Sequence, residues 1–148
     1  MIAVVQRVTN ASVEIENKMY SSIQNGFLVL LGVKNDDYEN NAILLAKKIA
    51  ELRILEDSNG KMNLSLKDVN GELLIISQFT LCTDNSKSGN RPSFTFAAEP
   101  EKAKILYLRF INEIEKYYEK SKVKTGVFAA DMKVNLTNDG PVTIILEK

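Results

Sequence analysis

The chain opens on strand-like patterning. Ile2 to Thr9 is rich in β-branched residues, and Ser12-Val13-Glu14-Ile15-Glu16 alternates polar and apolar with the period of a half-buried strand. Asn17-Lys18 marks a turn into a third strand over Met19 to Ile23. After Asn25-Gly26 the alternation gives way to a continuous apolar run, Phe27-Leu28-Val29-Leu30-Leu31-Gly32-Val33, which predicts a strand covered on both faces. Ala42, Leu45, Ala46, Ile49 and Leu52 then fall on one face at helical spacing, with Asp36-Asp37 offering N-cap carboxylates. Arg53-Ile54-Leu55 reads as a short strand before the Asn59-Gly60 turn. Asn70-Gly71 turns the chain into Glu72 to Leu81, a run that begins as another buried strand. Thr83 to Ser93 is dominated by Asp, Asn, Ser, Lys and Gly, a polar loop expected to move.

Pro100 stands where a first helical turn tolerates it, and Ala103, Leu106, Tyr107, Phe110, Ile111, Ile114 and Tyr118 carry an apolar stripe through a second helix. Lys133 to Thr137 alternates again, Asn138-Asp139-Gly140-Pro141 breaks the pattern, and Val142 to Leu146 closes the chain as a strand. Strands outnumber helices and do not alternate with them as in a doubly wound sheet. The expected fold is α+β, a curved, mostly antiparallel sheet with a barrel-like core and two outer helices, in a single domain over 1–148.

Composition narrows the chemistry. There is no His, so Ser-His-Asp and Cys-His nucleophile systems, His bases and His metal sites are excluded within one chain. The single Cys, Cys82, can form neither an intrachain disulfide nor a Cys-rich zinc site. No metal site and no cofactor are expected; an enzyme built from this chain works with carboxylates, hydroxyls, amides and backbone. Lys plus Arg and Asp plus Glu balance at 19 each, leaving no global positive field for nucleic acid, so such a partner requires a local basic patch. The apolar runs fall short of the roughly 20 residues of a spanning helix, and Met1 to Val8 lacks the features of a signal peptide, which together predict a cytoplasmic protein with no membrane partner.

Two segments depart from what strands and loops require. In Ser77-Gln78-Phe79-Thr80-Leu81 an aliphatic run turns abruptly polar, and polar groups at the end of a buried strand must be hydrogen-bonded or face a cavity. In Asn138-Asp139-Gly140-Pro141-Val142-Thr143 a proline directly precedes a strand. Taken singly, the first reads as an ordinary strand end and the second as a tight turn. As a pair they resemble the two signature motifs of the D-aminoacyl-tRNA deacylase family. The resemblance extends along the chain through Ala3-Val4-Val5-Gln6-Arg7-Val8, Leu28-Val29-Leu30-Leu31-Gly32-Val33, Arg53-Ile54, Gly60-Lys61-Met62-Asn63-Leu64-Ser65, Arg91-Pro92-Ser93-Phe94 and Ala130-Asp131-Met132.

The resemblance implies hydrolysis of the ester joining a D-amino acid, or mischarged glycine, to tRNA, with L-aminoacyl-tRNA left intact. It also implies a homodimer in which Gly140-Pro141 of each subunit enters the pocket of the other, cis at the peptide bond, with backbone carbonyls holding the α-amino group and excluding an L side chain. Ser77, Gln78, Phe79 and Thr80 are implied at the ester, Arg7 as the support of the Gly-Pro motif, and Phe128 and Met132 against the terminal adenine. The residue-level alternatives are a strand-surface charge for Arg7 and core packing for Phe128 and Met132. Without His, water attack aided by backbone N–H groups around Phe79 and Thr80, and by the tRNA 2′-hydroxyl, is favoured over Thr80 as a covalent nucleophile. Lys87, Arg91, Lys116, Lys120, Lys122 and Lys124 are candidates for phosphate contacts or a solvated face, and Cys82 for a small buried residue.

The chain departs from the family pattern at Phe128-Ala129-Ala130-Asp131-Met132, where relatives often read Phe-Gly-Ala-Asp-Met; the added methyl is expected to narrow the adenine or aminoacyl region. Two rival functions stand beside the deacylase: a non-catalytic module for tRNA acceptor ends or free D-amino acids, and a hydrolase of some other small ester.

Overall fold

The computed structural model describes residues 1–84, 86 and 89–148. Its first strand, β1 (Ile2–Ile15), is one continuous element where patterning suggested two. Neither Gly nor Pro interrupts it, and the break in alternation is absorbed by bulges, with register shifts near Arg7 and Thr9 against the last strand. β2 (Lys18–Ile23) and β3 (Gly26–Gly32) follow, both antiparallel to β1. β3 is buried along nearly its whole length, as its unbroken apolar run predicts.

Helix α1 (Glu39–Ala50) starts after Tyr38, whose N–H donates to the Asn41 side chain at 2.8 Å. Asp36-Asp37 is therefore not its N-cap. Asp37 is instead buried, pairing with the Met1 ammonium and accepting the Lys34 N–H at 2.6 Å. The hairpin β4 (Leu55–Glu56) and β5 (Met62–Leu64) encloses the Asn59-Gly60 turn, and β4 keeps only Leu55 of the expected Arg53-Ile54-Leu55 strand. A single-turn helix α2 (Leu66–Val69), unmarked by any apolar period, leads into β6 (Glu72–Ser77). β6 stops earlier than its sequence suggests because Phe79–Cys82 winds into a 3₁₀ turn. Then come α3 (Pro100–Tyr117), the short strand β7 (Val123–Thr125), which escaped prediction, and β8 (Lys133–Glu147).

The sheet is mixed. β3 pairs with β6 and β6 with β7 in parallel, while β1 joins β2, β3 and β8 antiparallel, giving a nearly closed, barrel-like wall. One face carries Phe27, Val29, Leu31, Leu73 and Ile75 against Ala42, Leu45, Ile49, Phe110 and Ile114 of α1 and α3; the other packs Leu28, Leu74 and Ile76 against Val13, Ile23 and Met132. Among the described residues, no helix is long and apolar enough to cross a membrane.

β8 runs through Gly140-Pro141 instead of breaking there. Between the pairs Val8↔Asn138 and Gln6↔Thr143, β8 spends more residues than β1, so Asp139 to Val142 bulge out of the ladder. Proline has no N–H to pair, and the bulge accommodates that lack. Asn138 clamps its base, donating Nδ2 to the carbonyls of Arg7 (2.9 Å) and Val142 (3.0 Å). Asn138→Ala removes the clamp and should lower stability by about 1–3 kcal/mol. A urea midpoint that stays at the wild-type value would show that the bulge holds its shape unaided.

Candidate active site

At the end of β6, a cleft of about 530 Å³ opens between the sheet, the start of α3 and the turn that follows β7. Ser77, Gln78 and Phe79 form one wall; Tyr107 and Phe128 to Met132 form another. Five expected site residues, Ser77, Gln78, Phe79, Phe128 and Met132, thus meet in one cavity.

The 3₁₀ turn explains the polar switch in the sequence. Gln78 completes the sheet edge, its N–H donating to the Leu31 carbonyl at 2.8 Å. The next two N–H groups, of Phe79 and Thr80, open the turn and are not used by any hydrogen bond among the described residues. Two adjacent unpaired donors at a cleft can receive a developing negative charge. The Thr80 hydroxyl accepts Gln78 Nε2 at 2.6 Å, while Thr83 Oγ1 donates to the Thr80 carbonyl at 2.5 Å. An amide donor cannot take the hydroxyl's proton, and Thr80 is exposed beside the cleft, outside its lining.

The opposite wall depends on α3. Tyr107 is buried and donates its hydroxyl to the Ile75 carbonyl at 2.9 Å; the Gly126 N–H reaches the same oxygen at 3.2 Å. Burial raises the Tyr107 phenol far above its usual range, so it remains a neutral donor. Its ring lies 5.7 Å from that of half-buried Phe128. A Cβ at Gly126 would come within 2.5 Å of Met132 Sδ, so glycine is what lets Met132 reach the cleft. Patterning assigned Tyr107 only to a helical stripe, and nothing in the sequence sets it apart from its neighbours. Ala129 lines the cleft with φ at +62°, in a turn closed by Ala130 N–H to the Val127 carbonyl at 3.2 Å. A methyl in this left-handed region costs about 1–2 kcal/mol.

Gly140, Pro141 and Arg7 do not line this cavity. Arg7 is only 3% exposed and faces inward, not on the strand surface. Its guanidinium donates to the Ile54 carbonyl (3.1 Å), Glu56 (3.0 Å) and the Asp139 carboxylate (2.9 Å). Gly140 follows directly, at φ +115°. A Cβ there would approach Arg7 Nη2 to 2.9 Å and Val142 Cγ2 to 2.8 Å. The Gly140-Pro141 peptide is cis, and both residues are exposed. The motif therefore projects from its own chain on a buried, ion-paired base. Asn138, not foreseen as a site residue, completes that base.

Cys82 is buried, its thiol pushed up by desolvation and directed at the Val33 carbonyl at 3.3 Å. Lys116 pairs with Glu113, Lys120 with Glu115 and Lys122 with Asn70 around the C-terminal end of α3, roughly 20 Å along the axis from cleft-lining Ala103. Arg91 is exposed, and Lys87 lies outside the described residues. No group of three or more potential metal ligands gathers among the described residues.

Comparison with known proteins places this geometry. Residues 4–147 match the family model described as D-Tyr-tRNA(Tyr) deacylase. The chain is 56% identical over 147 residues to the D-aminoacyl-tRNA deacylase of Sulfurihydrogenibium sp. (strain YO3AOP1), covering 99% of this chain and 97% of the relative. With the D-aminoacyl-tRNA deacylase of Cytophaga hutchinsonii it shares 54% over the same shares of both chains. A solved structure titled c-Myc DNA Unwinding Element Binding Protein superposes with a TM-score of 0.94 at 42% identity, over 100% of this chain and 99% of that one. A probable eukaryotic D-amino acid tRNA deacylase matches in fold, with a TM-score of 0.84 at 14% identity over 99% and 98% of the two chains. The cleft at the end of β6, the bulged Gly140-Pro141 on β8 and the full-length match agree, and the chain belongs to the D-Tyr-tRNA(Tyr) deacylase family.

Proposed function

We propose that this protein hydrolyses the ester of D-aminoacyl-tRNA, and of glycyl-tRNA, as a homodimer in the cytoplasm, sparing L-aminoacyl-tRNA through the Gly140-Pro141 segment of the partner subunit. The observation that carries this reading is a separation: the cleft and the exposed, braced Gly140-Pro141 segment do not meet within one chain. A second copy unites them. The open edge of β8 supports the pairing, since among the described residues the strand pairs with β1 alone and leaves Ile145 67% exposed.

In the assembled site, the terminal adenosine packs on Phe128 and Met132, which places the ester beside Ser77 to Thr80. Water attacks the carbonyl, with the tRNA 2′-hydroxyl orienting it, and the free N–H groups of Phe79 and Thr80 take the oxyanion charge. The substrate's α-amino group meets the carbonyls of the rigid Gly-Pro wall. An L side chain collides with that backbone, whereas a D side chain or the hydrogen of glycine points away. Discrimination by collision needs stiffness, which Arg7 and Asn138 supply. Thr80 serves as a hydrogen-bonded support, since its hydroxyl accepts the Gln78 amide and meets no base among the described residues.

Purified protein incubated separately with D-tyrosyl-tRNA and L-tyrosyl-tRNA should strip the first and spare the second. Equal rates would remove the chiral filter, and loss of neither ester would favour the non-catalytic module. Thr80→Ala should keep activity within about tenfold of wild type, because water is the nucleophile; a fall of about a thousandfold or more would make Thr80 the attacking group. Gly140→Ala forces a methyl into a left-handed position against Arg7 and Val142. The D-over-L ratio of kcat/KM should fall at least about tenfold, about 1.4 kcal/mol of discrimination. A ratio equal to that of wild type would contradict the role given to this segment.

A further inference from the structure

Beside the cleft lies a second surface whose composition the ester chemistry does not use. The strip leading into α3 is pinned to the chain after β3: the Asn35 N–H donates to the Phe96 carbonyl and the Ala98 N–H to the Val33 carbonyl, both at 2.9 Å. Ala97, Ala98 and Pro100, which continue this strip, line the cleft. The Phe96 ring is left 46% exposed on this fixed backbone. Tyr38, held at the start of α1 by the Asn41 side chain, is 71% exposed. Between the two elements, Lys102 donates Nζ to the Asn35 carbonyl at 2.6 Å and sits 5.1 Å from the centre of the Tyr38 ring. An ammonium has three donors, and among the described residues one of them is hydrogen-bonded.

Two exposed aromatic rings on rigid backbone with a localised cation form the combination that binds single-stranded nucleic acid. Rings stack bases irrespective of sequence, and the cation meets the connecting phosphate. The rings of Phe96 and Tyr38 stand in solvent on either side of an ordered lysine, open to an occupant. Continuity with the cleft identifies one. A terminal nucleoside seated on Phe128 has its preceding nucleotides outside the cavity, over its rim.

We propose that Tyr38, Phe96 and Lys102 bind the single-stranded nucleotides immediately 5′ of the terminal adenosine of tRNA, stacking their bases and contacting a phosphate; this rests on the function proposed above. The surface accounts for tRNA binding by a chain with no net charge, since it needs one placed cation and two rings instead of a broad positive field.

The test compares two substrates, D-tyrosyl-tRNA and the D-tyrosyl ester of adenosine, which has no preceding nucleotide, across wild type, Phe96→Ser, Tyr38→Ser and Lys102→Gln. Each aromatic variant should lower kcat/KM on the tRNA ester by about tenfold through KM, with kcat held, because lost stacking weakens binding without touching the reacting atoms. The adenosine ester should be cleaved by every variant at the wild-type rate. Lys102→Gln should also flatten the dependence of log KM on log salt by about 0.7, the slope of one single-strand phosphate contact. Unchanged KM on tRNA, or equal losses on both esters, would overturn the inference, the second result marking a merely structural role. Failure of the wild type to hydrolyse D-tyrosyl-tRNA would instead overturn the proposed function.

Discussion

A buried guanidinium organises this molecule. Arg7 stands at an inward-facing position of β1, and a charge so placed is tolerable only if its donors are met. They are met by the Ile54 carbonyl and Glu56 on one side, and by Asp139 on the other. The first two bind the β4–β5 hairpin to the sheet; the third fixes the root of the bulge in β8. The bulge cannot relax into the ladder without abandoning Arg7, and Gly140-Pro141 must point outward from its own chain. The proposed division of labour between subunits follows from that one constraint.

The cleft answers a different problem. A chain with no His must stabilise charge by other means, and the means proposed above is backbone. The sheet ends where β6 turns into a 3₁₀ helix, and turning there frees two N–H groups at the mouth of a cavity. Tyr107 fixes the far wall by tying α3 to β6, and Phe128 rests against its ring. Rigid elements thus hold both sides, which suits the rejection by shape proposed above.

Much of this was legible in the sequence, and the reasons differ by element. β3 and the helices α1 and α3 declared themselves because long apolar runs and stripes average over many residues. The two bulged strands did not, because a register shift breaks periodicity without ending the strand; β1 and β8 therefore read as pairs of shorter pieces. β7 and α2 are too short to carry a period, and parallel pairing of β3 with β6 depends on contacts distant in sequence. Ser77 to Phe79, Phe128 and Met132 were identified through the family resemblance and do share a cavity. The inward turn of Arg7, the clamp formed by Asn138 and the platform role of Tyr107 depend on side-chain direction, which spacing alone does not encode. Asp37 shows the converse: a residue with N-cap chemistry drawn away by a stronger partner, the Met1 ammonium.

The sharpest test of a filter shared between subunits is complementation. Ala130→Trp fills the cleft and leaves Gly140-Pro141 intact, while Gly140→Ala damages the filter and leaves the cleft open. Each homodimer alone should lack selective hydrolysis of D-tyrosyl-tRNA. After the two variants are unfolded and refolded together, mixed dimers contain one sound cleft facing one sound filter, and selective hydrolysis should return. A mixture no more selective for the D ester than Gly140→Ala alone would contradict a filter supplied by the neighbouring chain.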